Sequence, residues 1–193
     1  EKVGSGVTPT GGASVYQEEG IPLLRSQNIY SDRLVLDDVA YISDKIDEEM
    51  SNSRIQEGDV LLNITGASIG RCHYVPIGFG KGNVNQHVCI IRPTQSVVKT
   101  EWLHFIIISG YGQTLIDVCQ TGANREGLNF QQIKSFDIPL PKTDEQEVII
   151  QHIEAHTVRI DATISKIEKE IGLLQEYRTA LIGEVVTGKI KVI

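Results

Sequence analysis

Residues 150–185 read IQHIEAHTVRIDATISKIEKEIGLLQEYRTALIGEV, and apolar side chains recur in this stretch every seven residues. Two series interleave at steps of three and four: one is Ile153, Ile160, Ile167, Leu174 and Leu181, and the other is Ile150, Thr157, Ile164, Ile171, Arg178 and Val185. Steps of three and four place both series on one stripe of an α-helix. A narrow stripe sustained over about five heptads is typical of a coiled-coil seam. The stretch therefore predicts a long helix that pairs with another long helix.

The flanks of this stretch set the limits of the helix. Thr143 or Asp144 is a suitable N-cap, and residues 144–187 contain no proline. A helix of that span is about 66 Å long, which is longer than a compact domain needs. We therefore expect a globular domain over residues 1–142 and a helical arm over residues 143–193 that holds something at a fixed distance.

Composition places the globular part among ordinary soluble folds. The 193 residues are 40% hydrophobic and 22% charged, and no apolar run approaches the ~20 residues of a membrane span. Three cysteines without a C-x-x-C spacing are typical of reduced thiols in a cytoplasmic protein. We expect a cytoplasmic protein without disulfides or a cysteine metal site.

The charge distribution limits nucleic-acid binding by this chain alone. The net charge is −7, which argues against strong binding to a polyanion. Residues 32–59 carry nine acidic and three basic side chains, whereas the rest of residues 1–142 carries nine basic and seven acidic ones. The mildly basic part of the domain could still face the phosphate backbone of a nucleic acid. We expect partner subunits to supply most of the affinity for it.

Short strands punctuated by glycine and proline predict a β-rich α+β fold for the globular domain. We expect strands, or extended segments, at residues 21–25, 34–42, 60–64, 71–75, 88–93 and 136–141. Helices are predicted at residues 43–54, 130–134 and, as two pieces broken near Gly110, 99–120. Residues 4–13 are rich in glycine and lack periodicity, which predicts a loop.

Several of these segments resemble one protein family. The run from Gly58 to Gly70 (GDVLLNITGASIG) is similar to the central strand and loop of target recognition domains in type I restriction–modification specificity subunits. So are residues 21–29 and 83–93, and residues 129–146 resemble that family's exit from the domain into its spacer helix. Each piece is short, but their order and the heptad helix that follows make the combination specific.

The resemblance implies a function and partners. Such subunits are non-catalytic and usually hold two recognition domains and two antiparallel helices, each domain reading one half of a split site in double-stranded DNA. They bind methyltransferase subunits, which carry S-adenosylmethionine, and restriction subunits, with Mg and ATP also expected on the partners. With one domain and one helix, this chain is expected to be a C-terminal half or a half-length subunit that pairs with a second half or with its own copy. No strand is predicted before Ile21, so the first strand that is usual in this family is missing from the predicted elements.

Polar side chains at the ends of the predicted strands are candidates to read DNA bases or to contact phosphates. They are Arg25, Gln27, Asn28, Asn63, Thr65, Ser68, Arg71, Lys81, Asn85, Gln86, His87, Asn124 and Arg125. Asparagine, serine and threonine also form turns by bonding to local backbone, and that alternative remains open for each of them. Arg71 and Lys81 are candidates for phosphate contacts.

Other functions have weaker support in the sequence. His152 and His156 lie four residues apart without the H-E-x-x-H pattern, so surface histidines are favoured over a metal site. No glycine-rich cofactor motif or methyltransferase motif is present. Two alternatives remain open: the specificity region of a fused methyltransferase–nuclease, and a coiled-coil scaffold whose globular head binds protein.

Overall fold

A computed structural model of the chain describes residues 2–120 and 127–192. It divides into two compact units, Glu1–Glu147 and Val148–Ile193. The first unit is built on a four-stranded antiparallel sheet in the order β1 (Lys2–Ser5), β7 (Val88–Arg92), β4 (Val60–Asn63) and β5 (Cys72–Tyr74). Its two central strands are β7 and β4, which pair Leu61 with Ile90 and Asn63 with Val88.

A second sheet of three short strands lies in the same unit. Its order is β3 (Ala40–Ile42), β2 (Ile21–Leu24) and β6 (Asn83–Val84). β2 runs antiparallel to β3 and parallel to β6, with Leu24 opposite Val84. Because β2 and β6 point the same way, the loops that follow them leave the sheet at the same edge.

Both faces of the four-stranded sheet are buried, since successive side chains of a strand point to opposite faces. Val60 and Leu62 of β4 pack with Leu103 and Ile107 in one cluster. Leu61, between them, packs with Leu24 and the rest of a second cluster. The sheet is therefore an inner layer, which explains why GDVLLN reads as a continuous apolar run instead of an alternating one.

The helices of the first unit are short. They are α1 (Asp44–Glu49), α2 (Thr100–Ile108), α3 (Gly110–Gln120) and α4 (Phe130–Lys134). Ser43 caps α1, since its Oγ accepts a hydrogen bond from Ile46 N, and α2 and α3 break at Ser109 as the glycines predict. The α+β prediction is confirmed, and so are the predicted strands at residues 21, 60, 71 and 88 to within two residues.

Two predictions for the first unit were wrong. Residues 2–5 form a strand, although residues 4–13 were predicted to be a loop and no strand was expected before Ile21; β1 pairs with β7, far away in the chain. Residues 136–141 lie outside both described sheets, although a strand was predicted there. Side chains take up the carbonyls of that segment instead: Trp102 Nε1 donates to Pro139 O at 3.1 Å, and the Tyr111 hydroxyl donates to Asp137 O. The stretch 34–42 forms a strand only over Ala40–Ile42.

The long helix α5 spans Thr143–Val186, so it begins at the predicted residue and ends seven residues before the end of the predicted helical arm, residue 193. Its first turn belongs to the globular unit because the Gln146 side chain is fully buried there. Gln146 Nε2 donates to Val97 O and Pro141 O, both at 2.9 Å, and its Oε1 accepts from Lys99 N at 2.9 Å. None of the described helices has both the length and the hydropathy that crossing a bilayer requires.

Candidate nucleic-acid interface

A hollow of about 420 Å³ opens where three loops meet at one edge of the first unit. The loops follow β2, connect β4 with β5, and connect β6 with β7. Side chains of five predicted DNA-contacting residues line this hollow: Gln27, Thr65, Ser68, Arg71 and His87. Ser26 and Tyr30 also line it. The structure therefore brings together residues that are up to 60 positions apart in the chain.

Backbone pairing explains why the loops meet. β4 and β7 are antiparallel, so the end of β4 and the start of β7 lie at the same edge, where Ile64 N donates to His87 O at 3.0 Å. The loop after β6 is joined to β2 because Asn85 N donates to Leu24 O at 3.1 Å. The positive φ of Gly66, +72°, and of Gly70, +87°, allows the β4–β5 loop to turn around Ser68.

Three of the predicted readers are instead buried anchors of these loops. Asn28 is 1% exposed; its Oδ1 accepts from Arg25 N and its Nδ2 donates to Val35 O, both at 3.0 Å. Asn63 is fully buried, and its Nδ2 donates to Ser26 O at 2.8 Å, which ties the β4–β5 loop to the loop after β2. Asn85 is 8% exposed and accepts from His87 N at 3.1 Å. Asn28 and Asn85 bond to nearby backbone, as the turn-forming alternative describes, whereas Asn63 joins two loops that are distant in the sequence.

Arg71 lies on the rim of the hollow with its guanidinium over the ring of Tyr30, 4.9 Å from the ring centre. Arg33 contacts the same ring at 5.7 Å and pairs with Asp32. Tyr30 N donates to Arg33 O at 3.0 Å, and this turn brings the side chains of Tyr30 and Arg33 together. Sequence reasoning missed Tyr30 and Arg33; the order arginine, tyrosine, arginine at residues 25, 30 and 33 is the sequence signal for a cation–π cluster.

Thr65, Gln86 and His87 are joined by side-chain hydrogen bonds. Thr65 Oγ1 lies 2.6 Å from His87 Nδ1, and Gln86 Nε2 lies 3.0 Å from His87 Nε2. The Thr8 hydroxyl donates to Gln86 Oε1, so a residue of the predicted N-terminal loop also reaches the interface. Gln86 and Thr8 are exposed, whereas Thr65 and His87 are half-buried.

The remaining candidates are placed differently. Gln27 is exposed and Arg25 half-buried; Gln27 Nε2 donates to Asp38 Oδ2 and Arg25 Nη2 to Asp38 O, both at 3.0 Å. Lys81 precedes β6, does not line the hollow, and pairs with Asp44 at 3.3 Å. Asn124 and Arg125 lie outside the described residues.

Metal and seam candidates can also be placed. The described part of the chain contains no group of three or more His, Cys, Asp or Glu that could hold a metal ion. The rings of His152 and His156 on α5 lie 4.5 Å apart between centres. Six of the apolar seam residues are exposed in the single chain, Ile153 and Val185 are half-buried, and Ile150 is buried; Leu174, for example, is 66% exposed and Ile160 58%. The exposed apolar seam residues are Ile160, Ile164, Ile167, Ile171, Leu174 and Leu181.

The sequence matches a known protein family over most of its length. Residues 2–172 match the family described as type I restriction modification DNA specificity domain. The chain is 24% identical over 173 residues to the type I restriction enzyme EcoBI specificity subunit of Escherichia coli, and 22% identical to the EcoKI specificity subunit of strain K12. Each alignment covers 90% of this chain but only 36% and 37% of the relative, so the chain spans well under half of their length.

Two solved structures share the fold at low sequence identity. A chain from a structure describing complex assembly and conformational transition of the type I R-M system aligns with 95% of this chain and 42% of its own length, at a TM-score of 0.69 and 15% identity. The HsdS subunit from Thermoanaerobacter tengcongensis aligns with 83% of this chain and 36% of its own length, at a TM-score of 0.55 and 16% identity. Because the family match covers residues 2–172, the chain belongs to the type I restriction modification DNA specificity domain family.

Proposed function

We propose that this chain reads one half of a split site in double-stranded DNA, as the specificity component of a type I restriction–modification enzyme. The convergence of Gln27, Thr65, Ser68, Arg71 and His87 on one hollow carries this proposal. Hydroxyl, amide, imidazole and guanidinium groups are the groups that pair with base edges and phosphates. Buried asparagines fix the loops that carry them, which reduces the ordering cost of binding.

Arg71 is the proposed phosphate-facing cation of the hollow, with Tyr30 as the surface that holds it. Stacking on an aromatic ring orients a guanidinium without neutralising its charge. Asp32 pairs with Arg33, so its charge is compensated where DNA would approach. The Asp38 carboxylate accepts a hydrogen bond from the neutral Gln27 amide, and Arg25 bonds to the Asp38 backbone carbonyl. The net charge of −7 remains unfavourable for binding by this chain alone.

The helix α5 is proposed to set the distance between two DNA-reading domains. A split site requires two readers at a fixed separation along the duplex, and a rigid helical pair sets that separation better than a flexible linker does. The exposed aliphatic seam from Ile160 to Leu181 would be covered by the helix of a second half or of a second copy. Methyltransferase and restriction subunits are the proposed partners, and they would carry the chemistry.

Paired substitutions of Arg71 and Lys81 test the proposal. We expect Arg71→Gln to weaken binding of a random-sequence DNA duplex and to reduce the slope of log affinity against log salt by about 1, because one phosphate contact is lost. Lys81→Gln removes the same charge outside the hollow and should leave the slope unchanged. The measurement is fluorescence anisotropy at several salt concentrations, with the chain bound to its methyltransferase subunits.

Equal slopes for the parent chain and the Arg71→Gln variant would contradict the placement of the interface. Sequencing the sites methylated by the reconstituted complex then tests base reading itself. Substitution of Gln27 or Ser68 by alanine should broaden the sequence of one half-site and leave the other half unchanged. A methylation pattern that does not depend on these residues would reject the hollow as the reader.

A further inference from the structure

The side chains of Thr8, Gln86, His87 and Thr65 form a continuous hydrogen-bonded chain across the interface. The Thr8 hydroxyl bonds to Gln86 Oε1, Gln86 Nε2 lies 3.0 Å from His87 Nε2, and His87 Nδ1 lies 2.6 Å from Thr65 Oγ1. These hydrogen bonds join the N-terminal segment to the β6–β7 and β4–β5 loops. Two of the four residues, His87 and Thr65, line the hollow.

The donor and acceptor of each hydrogen bond in this series determine the donor and acceptor of the next one. The Gln86 amide nitrogen can only donate, so His87 Nε2 accepts and carries no hydrogen. A neutral imidazole then carries its hydrogen on Nδ1, which donates to Thr65 Oγ1. Because the Thr65 oxygen accepts from the ring, its hydroxyl hydrogen remains available to donate to another group.

We propose that His87 is a positioning residue for base recognition, because the ring nitrogen that holds its hydrogen decides which groups Gln86 and Thr65 present to the DNA. This inference rests on the proposed function and deepens it. Gln86 keeps one amide hydrogen and one oxygen lone pair for a ligand, the combination that matches N7 and N6 of adenine. Thr65 presents a donor, which matches an acceptor such as O6 of guanine or O4 of thymine.

Gln86 and Thr65 are coupled because the hydrogen bonds that link them through His87 all reverse direction together. With the hydrogen on Nε2, His87 would donate to a Gln86 oxygen, the Gln86 amide would turn and donate to Thr8, and Thr65 would donate to Nδ1. The Thr65 oxygen would then offer lone pairs to the DNA instead of its hydrogen. A change at residue 86 therefore alters the base preference at the position read by residue 65, although their side chains are linked only through His87.

Histidine tautomers in the free, full-length chain give the first test. Nitrogen-15 NMR of the ring should show the hydrogen on Nδ1 in the parent protein. In a Gln86→Glu variant it should show a hydrogen on Nε2, because a carboxylate can only accept. A hydrogen on Nε2 in the parent, or the same protonation pattern in both proteins, would overturn the assignment.

Selection from a pool of duplexes with randomised sequence gives the second test. The Gln86→Glu and Thr65→Val changes should be non-additive, with a coupling of about 2-fold or more in the base selectivity ratio, and the coupling should vanish in a His87→Ala background. Gln86→Glu combined with Ser68→Ala, in the same hollow but outside the chain, is the additive control. Thr65→Ser keeps the hydroxyl and should retain the parent preference.

The duplex selection distinguishes failure of the positioning role of His87 from failure of DNA recognition itself. Sequence preference in the parent chain together with additive effects at residues 65 and 86 would overturn the role of His87 alone. A parent chain without any sequence preference would contradict DNA recognition by the hollow, and with it the positioning role.

Discussion

His73 and His104 place two imidazole rings against one backbone carbonyl, that of Ser31. His104 Nε2 lies 3.1 Å from Ser31 O, and His73 also bonds to that carbonyl. The two rings meet edge to face with 5.0 Å between their centres. Burial, followed by repulsion from a charged His104, lowers the pKa of His73 to about 4, and burial lowers the pKa of His104 as well. The folded protein therefore holds this pair neutral.

Stability should consequently decrease on acidification. The unfolded chain takes up protons near pH 6.5, whereas folded His73 resists them until about pH 4, so the free energy of unfolding should fall as the pH drops through that interval. His73→Gln removes one of the two groups and should make the dependence shallower. Urea midpoints measured across this pH range provide the check, with His152→Gln on the exposed surface of α5 as the matched control. A parent and a His73→Gln variant with the same pH dependence would refute the role of the pair.

Single residues also mark the limit of what the sequence predicts about the site. Polar residues at strand ends indicated the interface, and five of them do line the hollow. Asn28, Asn63 and Asn85 carry the same chemical group but are buried, and their burial together with their backbone hydrogen bonds distinguishes an anchor from a reader. Asn63, for example, bonds to Ser26, 37 positions away. No local pattern encodes that contact.

Among the elements, β1 depends on a close approach by the residue that follows it. A Cβ on Gly6 would lie 1.7 Å from Val84 O and 2.8 Å from Asn85 O. Gly6 therefore allows the N-terminal segment to cross β6 and brings Thr8 to Gln86. Gly4, two residues earlier and inside β1, has no atom within 4 Å of such a Cβ.

This pair of glycines gives a matched prediction. Gly6→Ala should destabilise the protein by about 1–3 kcal/mol, because backbone must move to admit a methyl group. Gly4→Ala should be neutral or should stabilise the strand by about 0.5 kcal/mol. Urea unfolding followed through the fluorescence of Trp102, the single tryptophan, measures both. A Gly6→Ala protein as stable as the parent would show that the crossing is not tight in solution.

For α5, the prediction concerns pairing. Leu174 lies on the seam and is 66% exposed in the single chain. Leu174→Asp should shift the mass measured by light scattering toward that of the monomer, because a carboxylate cannot be buried against a second apolar seam. Ala162→Asp places the same charge on the opposite face of the helix and should leave the mass unchanged. An unaltered mass for both variants would argue against a seam at this position.

Elements differed in how well the sequence predicted them. The start of α5 and its unbroken length were predicted because a period of seven and the absence of proline are local signals, whereas the predicted arm over residues 143–193 extends seven residues beyond the observed helix. The strand β1 was missed because its partner β7 is more than 80 positions away and because its glycines resemble those of a loop. Residues 136–141 resembled a strand, but Pro139 and Pro141 cannot donate to a ladder, and side chains bond to neighbouring carbonyls.

At the scale of the whole molecule, the proposed function makes helix length a determinant of DNA site geometry. Deleting residues 164–170 removes one heptad, keeps the phase of the seam, and shortens the helix by about 10 Å, or about 3 base pairs of duplex. We expect the methylated site of the reconstituted complex to shorten between its two halves while each half keeps its sequence. Sequencing of methylated DNA measures both properties.

A five-residue deletion, of residues 164–168, is the control for that experiment. It shortens the helix but rotates the later part of the seam by about 140° relative to the earlier part. This variant should lose pairing in light scattering and should lose methylation of split sites. A heptad deletion that left the distance between the half-sites unchanged would show that α5 does not set the spacing.

Each loop of the interface pairs an inward-facing amide with an outward-facing polar neighbour one or two residues away: Asn28 with Gln27, Asn63 with Thr65, and Asn85 with Gln86. One residue in each pair is buried and bonded to backbone, and its neighbour is more exposed. Under the proposed function, point substitutions at the more exposed positions would change the target preference without loss of the fold. An invading genome that escapes one preference would then remain exposed to variants a single codon away.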